Sequence, residues 1–238
     1  MNIKKSVLAV LLSGIFIFSI TGMSQAIPFI DTTGSWNGSD YISCFGEPNT
    51  STYGQTFTVT DSETVLNSFT FFLDDFLNPD FVDFEAYVYA WDGNKATGPA
   101  LYAGTPMSTT NNGGNDGFEA ITINTGGVNL ISGSQYVAFF TAANRFDGSR
   151  GTSKWGGLGG ANVYSGGQFV YLNNGNDFGQ LFTTNWNKNF QGFGSDLAFS
   201  MSFSDPAAPV PAPSTMLLLG LGLIGLVGYN YRRQKETV

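Results

Sequence analysis

Between residues 28 and 204 no stretch of eleven residues repeats its apolar side chains at helical spacing; they alternate with a period of two instead. Val65, Phe69, Phe71 and Leu73 share one parity. Val82, Phe84, Ala86, Val88 and Ala90 share one parity of the next run, and Leu197, Phe199, Met201 and Phe203 alternate with Asp196, Ala198, Ser200 and Ser202. Successive side chains of a strand point to opposite faces, so each run predicts a strand with one buried face. Further strands are expected at 55–60, 118–124, 135–143 and 167–172, separated by Gly/Asn/Asp loops such as 111–117. Roughly eight to ten strands in about 175 residues predict an all-β fold, a two-sheet antiparallel sandwich of jelly-roll-like form. It forms one domain, 27–204, with no internal repeat at a fixed period.

The chain has no histidine and one cysteine, Cys44. A Ser-His-Asp or Cys-His nucleophile system, an imidazole-ligated metal and an intrachain disulfide are therefore excluded. Between Ile27 and Asp205 stand 17 acidic residues against 5 basic ones. Such a surface repels phosphate backbones, so nucleic acid is not an expected partner.

The two ends carry addresses. Lys4 and Lys5 precede an apolar run from Val7 to Ile20, and the small residues Ser24 and Ala26 follow, which predicts a secretory signal peptide over 1–26. In the oxidising compartment beyond it, a lone Cys44 is expected as a small buried hydrophobe. At the other end, Met216 to Tyr231 is uncharged and leucine-rich and is followed at once by Arg232, Arg233 and Lys235. As a helix these residues span about 24 Å, a short but workable transmembrane segment. The basic tail 232–238 places its C-terminal side in the cytoplasm. The linker 205–215 is Pro-rich, so it is extended and accessible to a processing enzyme.

Val210-Pro211-Ala212-Pro213-Ser214-Thr215, the glycine-punctuated leucine helix and the Arg232-Arg233 end together resemble the PEP-CTERM sorting signal of Gram-negative bacteria. Ala212 stands where that family usually has its name-giving glutamate. The resemblance implies an exosortase and the secretion machinery as transient partners. It also implies anchorage in the inner membrane until processing, then the cell surface or the extracellular matrix. The runs Gly54–Val59, Leu66–Phe69, Val88–Gly93 and Ser132–Val137 also resemble exported jelly-roll modules of the carbohydrate-binding kind, which implies a fold more than a function.

Three groups of residues could carry chemistry. A glycosidase needs two carboxylates, and the domain has only Glu47, Glu63, Glu85 and Glu119, at spacings that suggest no pair. Asp74, Asp75, Asp80 and Asp83 crowd one strand–loop–strand connection, and oxygen ligands so placed suit calcium as the one candidate cofactor. The same residues also suit a solvated acidic loop. Tyr87, Tyr89 and Trp91 line the face of their strand opposite the small apolar one, a row that could stack on sugar rings unless a long loop covers it. Trp155 and Trp186, in Gly- and Asn-rich stretches, are the alternative loop anchors for a glycan. The expectation is an exported, non-enzymatic surface or matrix protein with a structural or adhesive role in exopolysaccharide or biofilm. A dedicated carbohydrate-binding module is the alternative, and a polysaccharide hydrolase a more distant one.

Overall fold

The computed structural model describes residues 29–48, 50–60, 62–76, 81–160, 162–188 and 196–206. The signal segment 1–26, Asp80, the sorting motif and the expected membrane helix 216–231 lie outside them. Among the described residues no helix is long and apolar enough to cross a membrane.

Thirteen strands run through the described residues: β1 Phe29–Asp31, β2 Tyr41–Gly46, β3 Thr52–Thr58, β4 Val65–Asp75, β5 Asp83–Trp91, β6 Ala96–Ala103, β7 Met107–Ser108, β8 Glu119–Asn129, β9 Gln135–Thr141, β10 Thr152–Gly156, β11 Phe169–Leu172, β12 Asn187–Lys188 and β13 Phe199–Ser204. They form two antiparallel sheets. The first has the order β1-β13-β4-β10-β2, with β8 also paired to β4; the second has the order β12-β11-β3-β9-β5-β6, with β7 also paired to β5. The predicted two-sheet antiparallel sandwich is the observed fold.

The long β4 organises the first sheet. One of its edges pairs with β8, and the other pairs first with β13 and then, at Leu73–Asp75, with β10. Most of the parity read from the sequence holds: Phe69, Phe71 and Leu73 of β4 and Phe199 and Met201 of β13 are fully buried between the sheets. Val65, expected on the same face, is only half-buried, because a register shift between Leu66 and Ser68 puts Leu66 in the core instead. From the second sheet they meet Tyr53, Phe57, Phe84, Phe140 and Phe169. Aromatic pairs cross the interface, Phe71 with Phe140 at 5.2 Å and Tyr53 with Trp155 at 5.5 Å between ring centroids. Such edge-on pairs add to the area buried.

The second sheet departs from the one-faced expectation. Its strands β3 and β9 are buried on both sides, because a second apolar layer covers the outer face. That layer joins Tyr89, Trp91, Val137, Phe139, Val170 and Leu172 to Leu181 and Trp186 of the segment after β11. The segment turns through one helical turn, α1 (Gln180–Thr183), and is tied down by polar contacts at its base. The Ser51 and Thr52 hydroxyls both donate to Asn174 Oδ1 at 2.9 Å, and Asn174 Nδ2 donates to the Asp177 carbonyl at 2.9 Å. At its far end the Trp186 N–H donates to the Asn94 carbonyl at 2.8 Å.

The approach to β11 is equally tight. A Cβ on Gly167 would lie 1.7 Å from the Thr56 carbonyl oxygen, beside the bond from the Thr56 N–H to the Gln168 carbonyl. Gly167→Ala must therefore push the chain off β3. It is expected to cost about 1–3 kcal/mol, as overpacking does, read as a lower denaturant midpoint at unchanged slope. An unchanged midpoint would show that the contact is not needed.

Candidate functional site

A concavity lies where β4 ends. The chain leaves β7 in the second sheet, crosses the end of the sandwich through 109–117 and starts β8 opposite Leu73 in the first. That crossing turns sharply: Asn111 and Asn112 both have φ 50°, and Gly113 and Gly114 follow with φ 66° and 87°. Asparagine tolerates this left-handed backbone because its short side chain bonds locally. The Thr110 N–H and hydroxyl both donate to Glu119, at 2.8 and 2.6 Å, and the Gly113 N–H donates to the Thr110 hydroxyl at 3.0 Å. The crossing is thus held in shape by its own polar groups and by β8.

Beneath it opens a cavity of about 840 Å³ whose wall includes Asp74, Asp75, Phe76, Asn115, Arg150 and Lys154. Cross-strand register explains the pairing inside it, since Lys154 stands opposite Asp74 and Ser153 opposite Asp75. On the outward parity Lys154 Nζ reaches Asp74 Oδ2 at 2.8 Å. The same ammonium lies 5.3 Å from the centre of the Tyr41 ring and 5.2 Å from that of Phe76, a cation held over two aromatic faces.

Asp75 has the opposite parity and points inward. It is 8% exposed, and neither carboxylate oxygen has a hydrogen-bond partner among the described residues. Burial is the main reason its pKa is raised to about 6, with Glu119 and Asp74 adding repulsion. The Thr109 hydroxyl and the Asn111 N–H face it and pull the value part of the way back, without closing a bond to either oxygen. Its cross-strand neighbour is short of partners too, with the Ser153 hydroxyl buried and unpartnered among the described residues. By contrast Asp196, the carboxylate with no exposure at all, accepts from Gln55 Nε2 at 2.9 Å and from the Val163 and Tyr164 N–H groups at 2.8 and 2.9 Å. Asp196 is a satisfied structural group; Asp75 is not.

Of the four aspartates read as calcium ligands, Asp74 and Asp75 adjoin the cavity. Asp74 is held by Lys154, and Asp83 is exposed on β5, bonded to the Ser108 hydroxyl. Asp80 lies outside the described residues. Among the described residues no group of three acidic or cysteine side chains is placed to hold a metal ion.

The expected aromatic platform does not lie open. Tyr89 and Trp91 are each 6% exposed and Trp186 is 3% exposed, because the segment around α1 closes over them. Trp91 packs edge-on against Trp186 at 5.4 Å, while Tyr89 lies tilted against Phe182 at 5.1 Å and the half-buried Tyr87 tilted against Phe178 at 5.2 Å. Trp155, read as a loop anchor, is fully buried on β10 between the sheets. Cys44, expected inside, is exposed at the cavity rim.

The glutamates are dispersed. Glu85 takes the Arg145 guanidinium and, at 2.5 Å, the Tyr87 hydroxyl. Glu47 accepts from the Asp147 and Gly148 N–H groups, and Glu119 from Thr110. Glu85 and Glu119 stand on different sheets. The residue that sequence reasoning missed is Arg150, just before β10, which the pairing of β10 with β4 brings to the cavity; Asn115 and Asp116, legible only as a turn, reach it through the crossing. The Asn–Gly run 111–117 was legible as a loop, but nothing in it pointed to β4.

Comparison with known proteins matches one stretch of the chain, residues 209–233, to the PEP-CTERM protein-sorting motif. No curated protein and no solved structure matches it.

Proposed function

We propose that this exported, exosortase-targeted chain, anchored in the membrane only until its tail is processed, delivers its β-sandwich to the cell surface or extracellular matrix of a Gram-negative bacterium as a non-catalytic structural or adhesive component. The observation that carries this reading is the sorting motif at 209–233, which follows the last strand of the sandwich after only a short Pro-rich linker. Cleavage there would free a nearly bare folded domain. A closely packed hydrophobic interior, with aromatic residues in two layers, suits a load-bearing module outside the cell better than a machine that must open. The engagement of Glu47, Glu85 and Glu119 in local structural bonds supports a role without catalysis. The likeness to jelly-roll modules of the carbohydrate-binding kind belongs to the same proposal and suggests exopolysaccharide as the surroundings.

The intact mass of the protein recovered from membrane and extracellular fractions of its producing cell tests the address. A mass ending between Pro211 and Thr215 in released or matrix material is expected, with Ala212 accepted at the processing site. A mass extending to Val238 and confined to membranes would make the tail a permanent anchor and overturn the proposal.

A further inference from the structure

Part of the lining of the cavity under 109–117 is not engaged in structural bonds among the described residues. Asp75 presents two unpartnered oxygens although it is more than nine-tenths buried. Arg150 and Asp116 are exposed and make no ion pair among the described residues. The volume falls within the ~300–1,000 Å³ typical of small-molecule sites. A buried polar group without a partner destabilises the fold that contains it, and such groups collect where a ligand supplies what is missing.

The signs of the wall choose among ligands. An anion would meet Asp74, Asp75 and Asp116. A metal ion would meet Arg150 and Lys154, and would find Asp74 already engaged and no triad of ligating side chains among the described residues. A neutral hydroxyl meets neither difficulty, because it donates to a carboxylate and accepts from a guanidinium or an amide. Several hydroxyls on one rigid ring satisfy both kinds of wall at once, and the half-buried Phe76 ring offers an apolar surface to the ring's C–H face.

From this geometry we infer that the cavity between β4, β10 and the 109–117 crossing binds a neutral glycan segment, with Asp75 accepting from one hydroxyl at the inner wall and Arg150 donating to another at the rim. The site lies on the first sheet, on the opposite sheet from the Tyr87–Trp91 row. It rests on the extracellular placement proposed above and gives that placement its ligand class.

The test uses the full chain in detergent micelles on an array of neutral α- and β-linked glucans, galactans and mannans, with uronate-rich glycans and calcium chloride as the rival probes. Saturable retention on a neutral glycan is expected. It should weaken about tenfold or more in Asp75→Asn and in Arg150→Ala, each of which removes a charge-assisted hydrogen bond. Arg150 is exposed and Asn is a near-isostere of Asp, so both variants retain the fold, which near-UV circular dichroism checks. Cys44 is the single thiol and lies on the cavity rim. Capping it with a maleimide should therefore reduce retention, whereas a Cys44→Ser protein should ignore the reagent. The proposal is overturned by no retention on any neutral glycan, by retention that both substitutions and the cap leave unchanged, or by a response confined to uronates or calcium. The mass measurement is independent of this outcome. A processed tail without glycan binding sinks only the site; glycan binding by a chain that keeps its tail sinks only the processing.

Discussion

Trp155→Ala is expected to remove about 3–5 kcal/mol of folding stability, the range for truncating a large aromatic in a closed core. Trp155 is fully buried and lies 5.0–5.5 Å, ring to ring, from Phe71, Phe45, Phe140 and Tyr53, so it binds both sheets at once. The rings around it belong to four different strands, β4, β2, β9 and β3, and cannot all collapse into the space left behind. A domain with a total stability of about 5–15 kcal/mol would be close to unfolding. Urea denaturation followed by far-UV circular dichroism measures the effect. Trp155→Phe separates volume from polarity. It keeps most of the ring and deletes an indole N–H that has no partner among the described residues, so its loss should be smaller, about 1–2 kcal/mol. A loss under 1 kcal/mol for the alanine variant would mean that this tryptophan is not the bridge between the sheets.

Asp75→Asn should act in the opposite direction and stabilise the fold at neutral pH by about 2–3 kcal/mol. The folded pKa of about 6 lies roughly two units above the ordinary value of 3.8, and each unit corresponds to about 1.4 kcal/mol. The sign follows from proton binding. The folded state holds this proton more tightly than the unfolded chain does, so Asp75 leaves stability at its full value below the unfolded pKa. That stability is lost as pH rises through the folded pKa. The wild-type protein should therefore lose stability between about pH 4 and pH 6 relative to Asp75→Asn, and the two curves should run parallel above that window. Taking the difference between them matters because burial also raises the pKa of Asp196, which adds a slope of the same sign to both proteins. Denaturation midpoints across pH 4–8 supply the comparison. Identical pH profiles would show that the Asp75 carboxylate is solvated or partnered in solution.

The two expectations meet in one comparison. Trp155 and Asp75 both face inward on neighbouring strands of the same sheet, joined through the Ser153–Asp75 and Trp155–Leu73 register. One is a fully buried group that the fold depends on. The other is a group the fold would be more stable without. Polar groups that weaken the apo state are where function is traded against stability, and here that group lines a cavity of about 840 Å³.

Much of the architecture was legible from residue order. Period-two runs located β4, β5 and β13 and assigned Phe69, Phe71, Phe84, Phe199 and Met201 to the core, because alternation of side chains is a property of a single strand. The sorting motif was legible for a similar reason: its proline box, apolar run and basic end are contiguous. Short strands such as β2 and β10 escaped notice. In β10 a tryptophan between Lys154 and two glycines read as an exposed loop, yet those glycines serve close packing. A Cβ on Gly156 would lie 2.8 Å from the Trp36 ring, and one on Gly157 would lie 3.0 Å from Ile42.

What residue order determined, then, is what contiguous residues determine: strand parity, the two-sheet class and the sorting address. Tertiary structure alone decided which faces are covered. Tyr89 and Trp91 became a second core layer because a segment some ninety residues later, pinned by Asn174 and capped by Trp186, folds over them. Asp75, Arg150 and Asp116 became one cavity wall because the pairing of β10 with β4 brings Arg150, and the crossing between the sheets brings Asp116, to the end of β4. A strand's pattern records that a face is apolar or polar. It carries no record of what distant chain arrives to cover that face, since that depends on loop paths and on contacts between residues far apart in the chain.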